Sequence, residues 1–295
     1  MNYQQFITIV NQKVNRLLCE DTFSQMHVAL KNNGTERRGL TISQKGTNIS
    51  PTIYLEEYFH HYQNGMLTDE IAESIVSLYH EVKFEHDWDV NKIKNFSDTK
   101  HCLAFKLVHF EKNKELLQNI PHIPYLDLAV VYFLLLESTE QGAATILITH
   151  QMLHHWNISL NELHQTAILN TPKILQADFK PMHQVINELM GEVSYNSDIA
   201  EDSCMYVLSN QYRHFGAGCI LYNRVLEDIG NQINDDFFIL PSSIHETIIL
   251  PASCAMSKES LSEMIVEINE TQVSEEDILS DHAYYFSRKE NKILF

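Results

Sequence analysis

Apolar residues recur at Phe6, Ile9, Val10, Val14, Leu17 and Leu18, a spacing near 3.6 that lays them on one stripe of an amphipathic helix over residues 3–18. The pattern then changes period. His27-Val28-Ala29-Leu30 leads through Asn33-Gly34 into Arg38-Gly39-Leu40-Thr41-Ile42. An Asn-Gly step between two such runs predicts a β-hairpin, because both turn positions tolerate positive φ. Two further helices are expected. Pro51, with Ser50 as cap, suits the first turn of one whose Tyr54, Leu55, Tyr58, Phe59 and Tyr62 share a side before Asn64-Gly65 ends it. Thr68, followed by Asp69 and Glu70, caps the other, with Ile71, Ile75, Val76, Leu78 and Tyr79 facing inward.

Residues 91–97 read as a short helix, 102–110 as a strand and 112–118 as another short helix. Pro121 and Pro124 then punctuate the chain and place a domain boundary, giving an N-terminal α+β unit over 1–120 and a C-terminal α+β domain over 121–295. Residues 128–136 and 144–148 form a hairpin about Glu140-Gln141-Gly142, and its strands are so apolar that both faces should be covered. Helices are expected over 149–156 and 159–170, with Asn157 as breaker, Ser159 as cap and Pro172 as stop. After a polar linker over 195–202 come strand 205–209, helix 222–233, strands 237–240 and 247–250, helix 258–271 and strand 282–287. The fold class expected is α+β, an N-terminal helix-plus-hairpin unit followed by a larger part that ends in a βαββαβ module. No fixed-period repeat is visible, which excludes solenoids and propellers.

Charge narrows the partners. Acidic residues outnumber basic ones 39 to 21 for a formal charge of -18, a field that repels nucleic-acid phosphates and anionic lipid. The plain reading is a solubilising surface; the sharper one is an acidic DNA mimic that occupies a DNA-binding protein. The most apolar run, 126–136, is too short to cross a bilayer and contains Asp127, and residues 1–18 lack the pattern of a signal peptide. Five scattered cysteines without a C-x-x-C pair indicate neither a disulfide framework nor a thiolate zinc site, which fits a reducing cytoplasm.

Sixteen histidines invite a metal or pH-sensing reading against the plainer one of surface and packing roles. His150-Gln151-Met152-Leu153-His154 has the spacing of the zinc-protease helix, with Gln151 where that chemistry needs a Glu. An amide can neither accept a proton from zinc-bound water nor return it, so hydrolysis by that route lacks its base. Zinc held by His150 and His154, with His164 approaching from the next helix, is the one cofactor to consider; otherwise none is expected. Phe215-Gly216-Ala217-Gly218-Cys219 reads either as a phosphate-facing turn at Gly216 and Gly218 or as a tight turn that needs small residues. Ser242, Ser243, His245 and Glu246 lie in a loop between two strands. Such neighbours cannot converge as a catalytic triad, but loops on rigid scaffolds concentrate binding residues, so these four are the first choice for ligand or partner contact. Asp281 to Phe286 reads as an aromatic core or edge strand.

Four stretches, NISPTIYLEEYFHHYQNG, ILITHQMLHHWNISLNELHQTAILNTPKIL, FGAGCILYNRVLEDIGNQINDDFFILPSSIHETIILP and EINETQVSEEDILSDHAYYF, resemble a family of bacterial proteins that carries a domain-of-unknown-function label. A second, bacillar family is more distantly similar in its order of helix, Trp, helix and C-terminal α+β module. The resemblance implies a bacterial cytoplasmic protein and no catalytic residue. Together these readings favour a non-enzymatic binding or regulatory module that engages a protein partner. The alternatives are an enzyme centred on His150, His154 and His164, with Ser243 and His245 nearby, and the DNA mimic.

Overall fold

Asn2 opens the first helix in the computed structural model, which describes residues 1–83, 89–139, 142–190, 204–254 and 257–295. Its side chain accepts the Gln5 amide at 2.9 Å while the Gln5 side chain accepts the Asn2 amide at 3.2 Å, which satisfies two free N–H groups of α1, Tyr3–Leu17. Phe6, Ile7, Val10 and Val14 on its inner stripe are buried. The expected hairpin is present as β1, Thr22–Leu30, and β2, Glu36–Gln44, paired antiparallel, with Asn33 (φ 60°) and Gly34 (φ 74°) both left-handed at its tip.

Pro51 does not start a helix. It leads into a third strand, β3, Thr52–Tyr54, where its carbonyl accepts the Ile42 amide at 3.0 Å and Ile53 is buried. The gain from pairing and burial outweighs the first-turn preference of proline, so α2 begins later, at Glu56–Gln63. Thr68 is the first residue of α3, Thr68–Val82, rather than its cap; the Glu70 carboxylate accepts the Leu67 amide at 2.9 Å in the cap's place. Helices α1 and α3 cover the sheet β1-β2-β3, and Leu40, Ile42, Ile71 and Ile75 fill the space between.

By contact the chain divides into Met1–Asn91 and Lys92–Phe295. The boundary falls within a one-turn helix, α4 (Val90–Ile93), and the second unit continues with two more, α5 (Phe96–Thr99) and, after β4 (Leu103–His109), α6 (Lys114–Leu117). The prolines near 121 mark no division in the packing. Pro121 precedes and Pro124 lies within a short strand, β5 (His122–Tyr125), which lies beside β6 (Leu128–Thr139), and β4 from upstream pairs with β6. A fourth strand, β7 (Gly142–Leu147), completes this antiparallel sheet; the turn residues 140–141 lie outside the described residues. As the composition of β6 requires, both of its faces are covered: Leu128, Val130, Tyr132 and Leu134 enter the main core, while Ala129, Val131 and Phe133 enter smaller clusters behind.

The His-rich stretch forms α7, His150–Trp156, and α8, Leu160–Ile174, capped by Thr149 and Ser159 side chains and separated by left-handed Asn157 (φ 53°). Pro172 does not stop α8, which continues two residues past it to Ile174. Sequence reading left 176–194 without elements, and there the chain forms β8, Ala177–Pro181, and α9, Met182–Met190; the expected linker over 195–202 lies outside the described residues.

The C-terminal module has the expected order: β9 (Tyr206–Asn210), α10 (Val225–Ile233), β10 (Phe237–Leu240), β11 (Thr247–Pro251), α11 (Lys258–Thr271) and β12 (Tyr284–Ser287), with β13 (Lys292–Leu294) added at the edge. The sheet runs β13-β12-β10-β11-β9-β8, all antiparallel. One face shares the main core with β4, β6, α7 and α8 through Leu208, Phe237, Ile239 and Tyr284; the other is covered by Leu261 and Ile265 of α11. Cys204 and Cys254, expected unpaired, form a disulfide with Cα atoms 6.4 Å apart. Their 50-residue separation hides this in sequence, and the antiparallel pairing of β9 with β11 brings the two ends together.

Candidate functional site

The loop between β10 and β11 is held from two sides. On one, it is strapped to the segment after α11: the carbonyls of Pro241 and Ser242 accept the amides of Ser280 (2.9 Å) and Leu279 (3.0 Å), and the Ile244 amide donates to the Asp277 carbonyl at 2.8 Å. On the other, the Ser209 hydroxyl donates to the His245 carbonyl at 2.7 Å, and Ala217 N–H donates to the Ile244 carbonyl at 3.2 Å. Gly216 permits this approach, because a Cβ there would collide with Ser209 Oγ and the His245 carbonyl.

The turn leading to Gly216 is folded around Asn210. Its side chain donates to the His214 carbonyl at 2.7 Å and accepts the Tyr212 amide at 3.0 Å, while Arg213 (φ 56°) and Phe215 (φ 59°) take the left-handed conformation. Non-glycine residues in that region carry a conformational cost that the surrounding contacts must offset, a condition frequent at functional sites.

Together the turn, the loop and the end of α11 enclose an open, mainly polar cleft of about 380 Å³. Arg213 and His214 come from the turn, Ser243, His245 and Glu246 from the loop, and Gln272, Val273, Ser274 and Asp277 from the far wall. His245 sits at its centre. Its Nε2 lies 3.1 Å from Asp277 Oδ1, and its Nδ1 lies 3.4 Å from the Phe215 amide nitrogen, a contact that serves as a hydrogen bond when the ring is neutral with its proton on Nε2. Burial works to lower the imidazole pKa, but the hydrogen bond and charge of Asp277, aided by Glu246, leave it above its ordinary value. Burial raises the Glu246 carboxyl above the usual range, opposed by the charge of His245 and a hydrogen bond with Ser243. Arg213 turns its guanidinium to Glu188 at 3.0 Å.

Ser243 and His245 are not arranged as a nucleophile and its base. Ser243 Oγ accepts the His245 amide at 3.0 Å and bonds to Glu246, while both imidazole nitrogens are directed elsewhere. A serine nucleophile needs its hydroxyl proton directed at a free imidazole nitrogen, and that contact is not made.

Of the residues singled out from sequence, Ser243, His245 and Glu246 meet in the cleft; Ser242 supports it through its carbonyl, and Gly216 lies directly behind. Gly218 does not line it: this residue is buried, and a Cβ there would touch the Phe105 ring at 3.3 Å. His150 and His154 are exposed on α7, whereas His164 is half-buried with Nδ1 2.9 Å from the Tyr132 hydroxyl and its pKa lowered by burial. Among the described residues no group of three or more His, Cys, Asp or Glu is placed to hold a metal ion. The residues missed were Arg213, His214 and the 272–277 wall. Asp277 lies 32 positions from His245 inside an acidic run, and only the strapping of the loop gives that carboxylate its meaning.

No curated protein and no solved structure matches the chain. A family model does, over residues 3–288, which include both units almost entirely. The chain therefore belongs to the family of unknown function DUF5688.

Proposed function

We propose that this protein is a bacterial binding or regulatory module that engages a protein partner through the His245–Asp277 cleft and catalyses no reaction there. The observation that carries the reading is the engagement of both His245 ring nitrogens, which leaves Ser243 without a base. A site built this way offers fixed donors and acceptors of both signs, suited to the main chain and polar side chains of another protein. Nucleic acid is disfavoured as the partner by the charge of -18, and no described helix is long and apolar enough to cross a membrane.

The test uses the full chain as bait in an extract of its host. Gln272→Arg and Ser274→Arg change exposed positions on the rim, so the fold should be kept. The expected result is a discrete protein whose affinity falls by at least about tenfold in both variants. Equal binding by both variants and the unaltered chain would remove the cleft from the interaction.

A further inference from the structure

Strand β1 forms one edge of the N-terminal sheet, with β2 as its strand neighbour. Its residues, Thr22-Phe23-Ser24-Gln25-Met26-His27-Val28-Ala29-Leu30, include no Lys, Arg, Asp, Glu or Pro, and its register with β2 runs without a bulge. Charged side chains, proline and a bulge, three of the devices that usually blunt a sheet edge, are therefore missing from β1. One point is covered: the Asn15 side chain accepts the Ser24 amide at 2.9 Å and donates to the Ser24 carbonyl at 3.1 Å, taking the place of a neighbouring strand. That contact puts the main-chain groups of Ser24 on the outer side. Alternation along an antiparallel strand then puts those of Met26, Val28 and Leu30 there as well. The same three residues are 52%, 56% and 65% exposed, a row of apolar side chains on one face.

We propose that the outer edge of β1 pairs antiparallel with the same edge of a second copy, with a two-fold axis through Val28. Only residues with outward main-chain groups can exchange hydrogen bonds across such a junction, which fixes the register. Val28 faces Val28, and Met26 faces Leu30 in both directions. All three pairs are apolar and lie on one face, so six side chains that each meet water come together, and His27 faces Ala29 on the other. The paired stretch ends where Asn15 already occupies Ser24.

Charge selects a second copy over a foreign peptide. Two chains of -18 repel over most approaches, but β1 brings no charged side chain to the junction, and Lys31 at its end is turned over its own Tyr54 ring at 4.2 Å. A charged peptide would find no opposite charge there, while β1 matches itself position by position.

Sedimentation equilibrium of the full chain from micromolar to millimolar concentration tests this. The expected result is a concentration-dependent dimer whose dissociation constant rises at least about tenfold in Val28→Lys, where like charges would face each other on the axis. Phe23→Lys, outside the paired stretch, should leave it within about twofold. A chain that stays monomeric throughout, as it would if the edge served another protein's strand, overturns the proposal, as does a Val28→Lys variant that dimerises like the unaltered protein. Should Val28→Lys fail to fold, the near-isosteric Val28→Cys decides. Hydrogen-bonded pairs hold their Cα atoms about 5.5 Å apart, within disulfide reach. A soluble thiol oxidant should therefore join two copies through position 28, seen as the cross-linked peptide by mass spectrometry, and its absence at dimer-forming concentration contradicts the axis.

Discussion

His245 shows what a single side chain can and cannot announce from sequence. A histidine in a loop between two strands marks a candidate contact, and the structure places it at the centre of the cleft. Its character comes from Asp277, which no spacing rule connects to it. Asp277→Asn removes the charge that opposes burial, so the ring should titrate above 6.5 in the unaltered protein and lower in the variant, as read from imidazole resonances against pH. The linkage has a definite sign. A raised histidine pKa stabilises the fold fully below 6.5, and that contribution fades as pH rises through the folded value. The stability gap between the two proteins should therefore narrow from pH 6 toward pH 8. A gap that widened over that range would mean that Asp277 does not act through the imidazolium. Cys219 illustrates the opposite case. It lies in a short 3-10 helix, Gly216–Leu221, a setting that suggests an activated thiol, yet burial pushes the group up to about 12, and its Sγ donates to the Ser209 carbonyl.

At the scale of elements, segments with a pronounced local pattern were legible and those without one were not. The bounds of β10 and α11 coincide with those expected from periodicity and capping, because 14 helical residues with a serine cap leave little ambiguity. β3 and β8 were missed because strands of three and five residues depend on their neighbours rather than on a local pattern. The same holds for the connection between sheets. Asp127 read only as a charge in an apolar run, but its carboxylate accepts the Tyr284 hydroxyl at 2.5 Å and the Ser280 hydroxyl at 2.6 Å, tying the β5–β6 turn to β12 and its approach. Tyr284 is buried, and its phenol pKa is raised, first by burial and then by Asp127. Tyr284→Phe keeps the packing and removes one hydrogen bond to a charged group, so chemical denaturation should register a loss of about 1.5–3 kcal/mol. An unchanged midpoint would show that water serves Asp127 equally well.

For the molecule as a whole, the order of elements was legible along the chain, while their organisation had to be seen. The α+β class and the βαββαβ order followed from the sequence of periods along the chain. The position of the division did not, because Pro121 precedes and Pro124 belongs to a strand paired with β6, and the pairing of β4 with β6 spans them. Likewise Cys204 and Cys254 were separable only by folding. The candidate site was half legible: the loop carried its own signals, whereas the wall opposite is assembled from residues with none. The account predicts that this wall is a surface another protein touches. A photo-activatable amino acid at Gln272, compared with one at exposed Lys289 outside the cleft, measures that most directly in living cells. The account predicts a discrete cross-linked protein from position 272 that is not captured from position 289. Equal labelling from both positions, or none from 272, would contradict it.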